Sequence, residues 1–219
     1  MAVLADIDNV LFDLDGTLVD SRETIATSIL HALEKMDVDA ATGPRVETLI
    51  GMPLYDIFVG RFGMQEVNAL QAIDHYRVYY DNLNQAGTRV YERVHEDLAR
   101  LKAEGYRLYI ATVKPTQIAE KVLSDMELLP FFEGVAGASR GPERRDTSSI
   151  IAHALSKFGL APSRSRMVGD RDQDVEGARA NGLRSVGVTY GFGMREEILG
   201  SSPDFVAESS GGISHLLSG

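Results

Sequence analysis

The amino-acid sequence predicts an α/β protein with a parallel sheet covered by helices on both faces and an all-helical segment inserted after the first strand. From about residue 91 onward, short apolar segments typical of buried strands alternate with helical segments. This alternation is the pattern of a parallel sheet. Residues 20–84 differ, because their apolar residues recur at helical spacing and no segment there is typical of a strand. We therefore expect a core formed by residues 1–19 and 85–219, interrupted by a helical domain at 20–84.

The first predicted strand is the apolar run at residues 9–12, which ends at two acidic residues, Asp13 and Asp15. Gly16 follows them and permits a tight turn that brings backbone N–H groups toward an anion. Carboxylates buried beside an apolar strand are costly unless they bind a metal or exchange protons. An Asp-Gly turn after a strand is common in any protein, so the matching segments downstream decide what this one means.

The inserted segment is predicted to consist of helices. Asp20 or Ser21 caps the first, and glycine and proline residues separate those that follow. The expected helices run through residues 25–33, 46–50, 54–62 and 65–80. Because this segment directly follows the first strand, we expect it to act as a lid over the tip of that strand.

Helices and strands alternate in the rest of the predicted core. The helices are expected near residues 92–103, 116–126, 147–158 and 174–180, and the strands at 106–111, 132–136, 165–169 and 185–188. The expected architecture is a three-layer, Rossmann-like core, and ligands in such folds bind beyond the carboxyl ends of the strands.

Composition excludes several classes of function. The formal net charge is −10, from 22 basic and 32 acidic residues, which argues against a nucleic-acid partner. The chain has no cysteine, so it forms no disulfide and uses no thiol catalysis or cysteine-bound metal. It shows neither an apolar stretch of membrane-spanning length nor an N-terminal secretion signal. We expect a cytoplasmic protein without a membrane partner, and the sequence does not predict its oligomeric state.

Unusual residues follow the predicted strand ends. Asp13 and Asp15 end the first strand, Thr112 ends the second, and the fourth ends in Gly169-Asp170-Arg171-Asp172-Gln173-Asp174. A basic loop at residues 140–145 follows the third strand. Together these segments resemble the haloacid dehalogenase superfamily of phosphohydrolases over nearly the whole chain. The inserted helices resemble the small helical cap of that family.

Two further segments resemble the phosphoglycolate-phosphatase-like branch of the family, residues 51–54 and 174–182. The resemblance implies a phosphoric monoester hydrolase that cleaves a small phosphorylated metabolite through an aspartyl-phosphate. Asp13 is the implied nucleophile, and Asp15 the implied general acid and base. Dehalogenase members lack an acid at the position of Asp15, so this residue argues for phosphate ester chemistry over carbon–halogen cleavage.

The acidic residues predict that the site binds a metal ion. Several carboxylates in one pocket repel one another, and some take up protons unless a cation binds. Mg²⁺ is a hard ion that prefers a few carboxylates together with water and substrate phosphate. By resemblance, Asp13, the backbone carbonyl of Asp15 and Asp170 bind this ion directly. Asp174 either binds it as well or orients one of its waters.

The residue expected to supply positive charge to the site differs from the family pattern. The family places a lysine after the third strand, and here that position falls near Thr147. Arg144, Arg145 or Lys114 replaces it, and an arginine would not be equivalent to a lysine. Thr112 is implied to donate its hydroxyl to a phosphoryl oxygen. The predicted phosphate-binding residues are Gly16, Thr112, Lys114 and Arg145.

Two alternative functions stay open at this point. A phosphomutase of a sugar phosphate would use the same nucleophile and retain its product for rephosphorylation. A catalytically weakened member of the family would only bind phosphate ligands, and the absent lysine is the feature that favours it.

Overall fold

The computed structural model describes residues 7–83, 86–139, 144 and 146–218. The strands are β1 (Asn9–Phe12), β2 (Val19–Asp20), β3 (Arg89–Val90), β4 (Arg107–Pro115), β5 (Phe132–Ala138), β6 (Ser165–Gly169), β7 (Arg184–Val188) and β8 (Phe205–Ala207). The α-helices are α1 (Arg22–Lys35), α2 (Glu66–Asn82), α3 (Val94–Ala103), α4 (Thr116–Asp125), α5 (Thr147–Phe158), α6 (Asp172–Ala180), α7 (Arg195–Gly200) and α8 (Ile213–Ser218).

Six strands form one parallel sheet in the order β5-β4-β1-β6-β7-β8, and β2 pairs with β3 in a separate two-stranded sheet. β1 pairs with β4 on one side and with β6 on the other, so that Phe12 is aligned with Ile110 and with Val168. The carboxyl ends of these three strands therefore lie side by side. Ligands bind at this position in open parallel sheets, where the strand order reverses.

The sheet is the middle of three layers. Side chains alternate between the two faces of a strand, and Val10 and Phe12 are buried in a cluster with residues of α3, α4 and α8. Leu11 is buried on the opposite face with residues of α5 and α6. Burial on both faces explains why the strands have nearly continuous apolar sequences. The predicted α/β architecture is confirmed.

The chain divides into two compact units, one of which is Ser21–Arg89. This unit has an apolar core of its own, in which Ile29 and Leu33 of α1 are buried together with Ala69 and Ile73 of α2. The other unit contains the described residues up to Asp20 and from Val90 onward.

The connection between α1 and α2 differs from the regular helices that the sequence predicts. Val46–Leu49 forms a 3₁₀ turn, and Asp56–Arg61 forms a π-helical segment. The N–H of Phe62 donates to the carbonyl of Ile57 at 3.2 Å, a bond that spans one residue more than in an α-helix. Apolar periodicity does not distinguish these helix types over a single turn.

Asp97 of α3 holds the N-terminus of the last helix, α8. Its buried carboxylate accepts hydrogen bonds from the backbone N–H groups of Ile213 at 3.0 Å and Ser214 at 3.1 Å. The Ser214 hydroxyl donates a third hydrogen bond at 2.8 Å. Negative charge is favourable at this end of a helix, so Asp97 fixes α8 against the core.

Asp97→Ala is expected to lower the free energy of unfolding by about 2–4 kcal/mol, because three buried donors lose a charged acceptor. Urea denaturation monitored by circular dichroism measures this loss. The control is Asp125→Ala, which removes the exposed partner of Lys121 and should cost less than about 1 kcal/mol. Equal losses in the two variants would contradict the anchoring role of Asp97.

Candidate active site

The carboxyl ends of β1 and β6 bring three acidic side chains together. Asp13 directly follows β1, and its N–H donates to the carbonyl of Val168 in β6 at 2.9 Å. Asp170 directly follows β6, and Asp174 lies in the first turn of α6. One carboxylate oxygen from each acid lies within 4.8 Å of the others. The three residues are 8%, 0% and 4% exposed, respectively.

Burial raises the pKa of all three carboxyl groups. For Asp13 the pKa rises to about 8, because desolvation is reinforced by repulsion from Asp170 and Asp15 and only partly offset by the Thr112 hydroxyl. Burial likewise raises the pKa of Asp170. The pKa of Asp174 lies well above its usual range because of burial and repulsion from the other two acids. The cluster therefore favours bound protons or a bound cation.

The donor set fits a hard divalent cation. Three buried carboxylates that converge on one point are the oxygen ligands that such ions prefer. The backbone also comes close to this point at Gly16, which has a φ of +94°, and a Cβ atom there would overlap the carboxylate of Asp170. Only glycine permits both the left-handed conformation and this close approach. Divalent-metal binding is therefore consistent with the structure.

Gly16→Ala is expected to weaken the affinity for a divalent cation by at least about tenfold, because the added methyl group displaces the Asp170 carboxylate. The control is Gly63→Ala, at a glycine whose φ is +64° and whose Cβ position is open. The control also places alanine at a positive φ, without the collision. Calorimetric titration with Mg²⁺ measures both affinities, and equal losses would exclude the steric explanation.

The N–H of Gly16 has a partner within the turn. It donates to the carbonyl of Val19 at 2.8 Å, so it closes the turn and is not directed toward an anion. The predicted phosphate contact at the Gly16 turn stays a prediction. Gly16 also packs closely against Asp170.

The loop after β7 orients Asp170. Oδ2 of the Asp170 carboxylate accepts hydrogen bonds from the N–H of Phe192 at 2.7 Å and from the N–H of Gly193 at 3.2 Å. At Gly191 and Gly193, a Cβ atom would overlap atoms of Asp170. This loop was not predicted from the sequence, although two glycines shortly after a strand, in Tyr190-Gly191-Phe192-Gly193, are a recognisable signal.

β4 contributes Thr112 and Lys114 to the same edge of the sheet. The Thr112 hydroxyl forms a hydrogen bond with Asp13 and accepts one from the N–H of Lys114 at 3.3 Å. The Lys114 ammonium group donates to Oδ2 of Asp15 at 2.5 Å. The Lys114 and Asp15 side chains are 9% and 19% exposed. Thr112 and Lys114 thus contact two acidic residues at this edge of the sheet, and their binding of phosphate stays a prediction.

The basic loop after β5 is described only in part, and Arg145 lies outside the described residues. One guanidinium nitrogen of Arg144 lies 3.4 Å from both ring nitrogens of His153. Burial, together with the charges of Arg144 and Lys157, lowers the pKa of His153. Arg144 therefore contacts α5.

Comparison with known proteins identifies the family. Residues 10–188 match the family model for haloacid dehalogenase-like hydrolases. The chain belongs to this family. A haloacid dehalogenase-like family hydrolase from Streptococcus pneumoniae has the same fold, with a TM-score of 0.85 and 30% identity over 96% of this chain and 98% of that chain. The predicted family is confirmed.

Three relatives carry different names. A 5'-nucleotidase of Pseudomonas aeruginosa is 36% identical over 195 residues, which cover 89% of this chain and 88% of that protein. The tyrosine-protein kinase PtkA of Mycobacterium tuberculosis is 34% identical over 92% of this chain and 68% of its own length. A phosphoglycolate phosphatase of Nitrosococcus oceani is 31% identical over 99% of both chains. The predicted enzyme class, a phosphoric monoester hydrolase, is confirmed. Among the helices of the described residues, none combines the length and apolar character needed to cross a membrane.

Proposed function

We propose that this family member is a Mg²⁺-dependent phosphatase that hydrolyses a small phosphorylated metabolite through an aspartyl-phosphate on Asp13. The observation that carries the proposal is the buried cluster of Asp13, Asp170 and Asp174 beside the ion pair of Asp15 with Lys114. Structural acids are rarely buried together in this way, because each raises the cost of ionising the others. The cluster therefore supports a catalytic role.

Asp13 and Asp15 have different roles in the proposed reaction, Asp13 as nucleophile and Asp15 as general acid and base. An oxygen of the Asp13 carboxylate attacks phosphorus, and the bond between phosphorus and the leaving oxygen breaks as the new bond forms. Asp15, in its protonated form, donates a proton to the leaving oxygen, which departs as an alcohol. Asp15 then accepts a proton from the water that attacks the aspartyl-phosphate, and phosphate and the free Asp13 carboxylate are released. Asp15 comes two residues after the nucleophile, and its contact with Lys114 fixes its carboxylate.

The metal would be held by Asp13, Asp170, the backbone carbonyl of Asp15, and Asp174 as a direct ligand or through water. When bound, the ion neutralises these carboxylates and offsets the charge of the substrate phosphate. The Thr112 hydroxyl contacts Asp13 in the structure, which supports its role as a donor to a phosphoryl oxygen. We also propose that the helical unit Ser21–Arg89 is the cap of the family, since it has a core of its own.

Phosphate release from a panel of phosphomonoesters, with Mg²⁺ or with EDTA, tests the proposal. Phosphoglycolate enters the panel because the relative of that name matches over 99% of both chains. Nucleoside 5'-monophosphates enter it because of the 5'-nucleotidase relative, and an aryl phosphate serves as a generic substrate. Release that requires Mg²⁺ supports a phosphatase, and the preferred ester begins to define the substrate. If no ester is hydrolysed although Mg²⁺ binds, the proposal fails in favour of a mutase or a binding protein.

A further inference from the structure

From β5 to the end of α5, the described residues offer no positive charge to the acidic cluster. Farther along the chain, Arg171 lies 3.9 Å from Asp170. Thr147 begins α5 at the position where the sequence analysis expects the lysine of the family. Among residues 132–139, 144 and 146–158, the cations are Arg144 and Lys157. Arg144 contacts His153, and the Lys157 ammonium group donates to the carbonyl of Val135 at 3.0 Å. Both cations are therefore engaged elsewhere.

Lys114 brings a positive charge to the cluster from the neighbouring strand. Its ammonium group lies 2.5 Å from the Asp15 carboxylate, and the charge of Asp15 is itself felt by Asp13. The Lys114 side chain is 9% exposed, so water screens its charge only weakly. A buried lysine retains its charge only beside anionic groups, and the acidic cluster provides them.

The backbone around Lys114 is fixed by its neighbours. The N–H of Lys114 donates to the Thr112 hydroxyl at 3.3 Å. On the other side, Gly137 of β5 packs so closely that a Cβ atom there would overlap the carbonyl oxygen of Lys114. The N–H of Gly137 also donates to the Thr116 hydroxyl at 3.1 Å. The segment that carries Lys114 is therefore held in place before substrate binds.

We propose that Lys114 supplies the positive charge that faces the transferring phosphoryl group, replacing from β4 the lysine that the family places after the third strand. The inference rests on the proposed phosphatase function. Asp13, Asp15, Asp170 and Asp174 carry four negative charges when ionised, and a phosphate ester adds up to two more. A divalent ion together with Arg171 still leaves this set negative, so a further cation held at the cluster lowers the energy of the transition state.

The test moves the lysine from one strand end to the other. Lys114→Met removes the charge and keeps the length of the side chain. The double variant Lys114→Met/Thr147→Lys restores a lysine at the position that is usual for the family. Lys121→Met is the matched control, because Lys121 forms an exposed pair with Asp125. Arg144→Met tests one of the two arginines that the sequence offers as replacements for the family lysine. Thermal melts establish that each variant is folded.

Two readouts separate the outcomes: kcat and KM for the best ester of the panel, and inhibition by orthovanadate, which mimics the transferring phosphoryl group. Lys114→Met should lower kcat and weaken vanadate inhibition, each by about 10²-fold. The double variant should recover at least tenfold in both, whereas Lys121→Met and Arg144→Met should stay within threefold of wild type.

Three results would overturn the inference. Lys114→Met could retain wild-type kcat, or Arg144→Met could lose as much as Lys114→Met. A loss of kcat with unchanged vanadate inhibition, not rescued by Thr147→Lys, would confine Lys114 to holding Asp15. Wild-type enzyme that hydrolyses no ester would instead refute the phosphatase function itself, so the two failures are distinguishable.

Discussion

Asp13→Asn is expected to lower Mg²⁺-dependent phosphate release by at least about 10³-fold, because the amide is a poor nucleophile. The substitution keeps the size of the side chain and removes one of three repelling charges, so the fold should be retained. Steady-state kinetics on the best ester of the panel measure the effect. The fall should appear in kcat, since the residue acts on the bond that is made to phosphorus.

The control for Asp13→Asn is Asp172→Asn, at the first residue of α6. The Asp172 carboxylate accepts a hydrogen bond from the N–H of Gln173 and is not part of the buried triad. This variant should keep its kcat within threefold of wild type. A residual activity above one tenth in Asp13→Asn would show that another group attacks phosphorus.

The metal-free protein is expected to lose stability as the pH rises from about 4 to about 8. Burial raises the pKa of Asp13 to about 8 from its usual 3.8, and the pKa values of Asp170 and Asp174 are also raised. Between those pH limits the folded chain binds more protons than the unfolded chain. The stabilisation is therefore complete below pH 4 and lost as the pH passes about 8. For Asp13 alone the loss is on the order of 6 kcal/mol, at about 1.4 kcal/mol for each pKa unit between 3.8 and about 8.

Urea denaturation at pH 5 and pH 8, each with EDTA or with Mg²⁺, measures this effect. Mg²⁺ should stabilise the protein more at pH 8 than at pH 5, because the ion competes with protons for the same carboxylates. In EDTA at pH 8, Asp13→Asn should be more stable than wild type, since it lacks one buried charge. Equal stability of the metal-free wild type at the two pH values would contradict the raised pKa values.

The core of the fold was predictable because its strands are buried on both faces. The predicted segments at 9–12, 165–169 and 185–188 match β1, β6 and β7 closely, since runs of apolar residues between turn signals indicate such strands. The edge strand β8, Phe205–Ala207, was not predicted. A strand of three residues is too short for any periodicity to show.

The sequence predicted only those parts of the site that a single segment of the chain specifies. Asp13, Asp170 and Asp174 follow strand ends, and their convergence follows from the parallel sheet. The contact between Lys114 and Asp15 depends on the direction of a long side chain, which no local pattern encodes. The turn hydrogen bond of Gly16 escaped prediction for a similar reason, because turn chemistry specifies the shape of the backbone and not the partner of each N–H group.

The central position of β1 in the sheet has a consequence for the order of folding. Asp13 is synthesised before Thr112 and Asp170, which lie in and directly after the two strands that flank β1. The acidic cluster therefore cannot assemble until β6 has paired with β1. Pairings between such distant segments are slow to form. A metal ion that binds only this late arrangement should slow unfolding without accelerating folding.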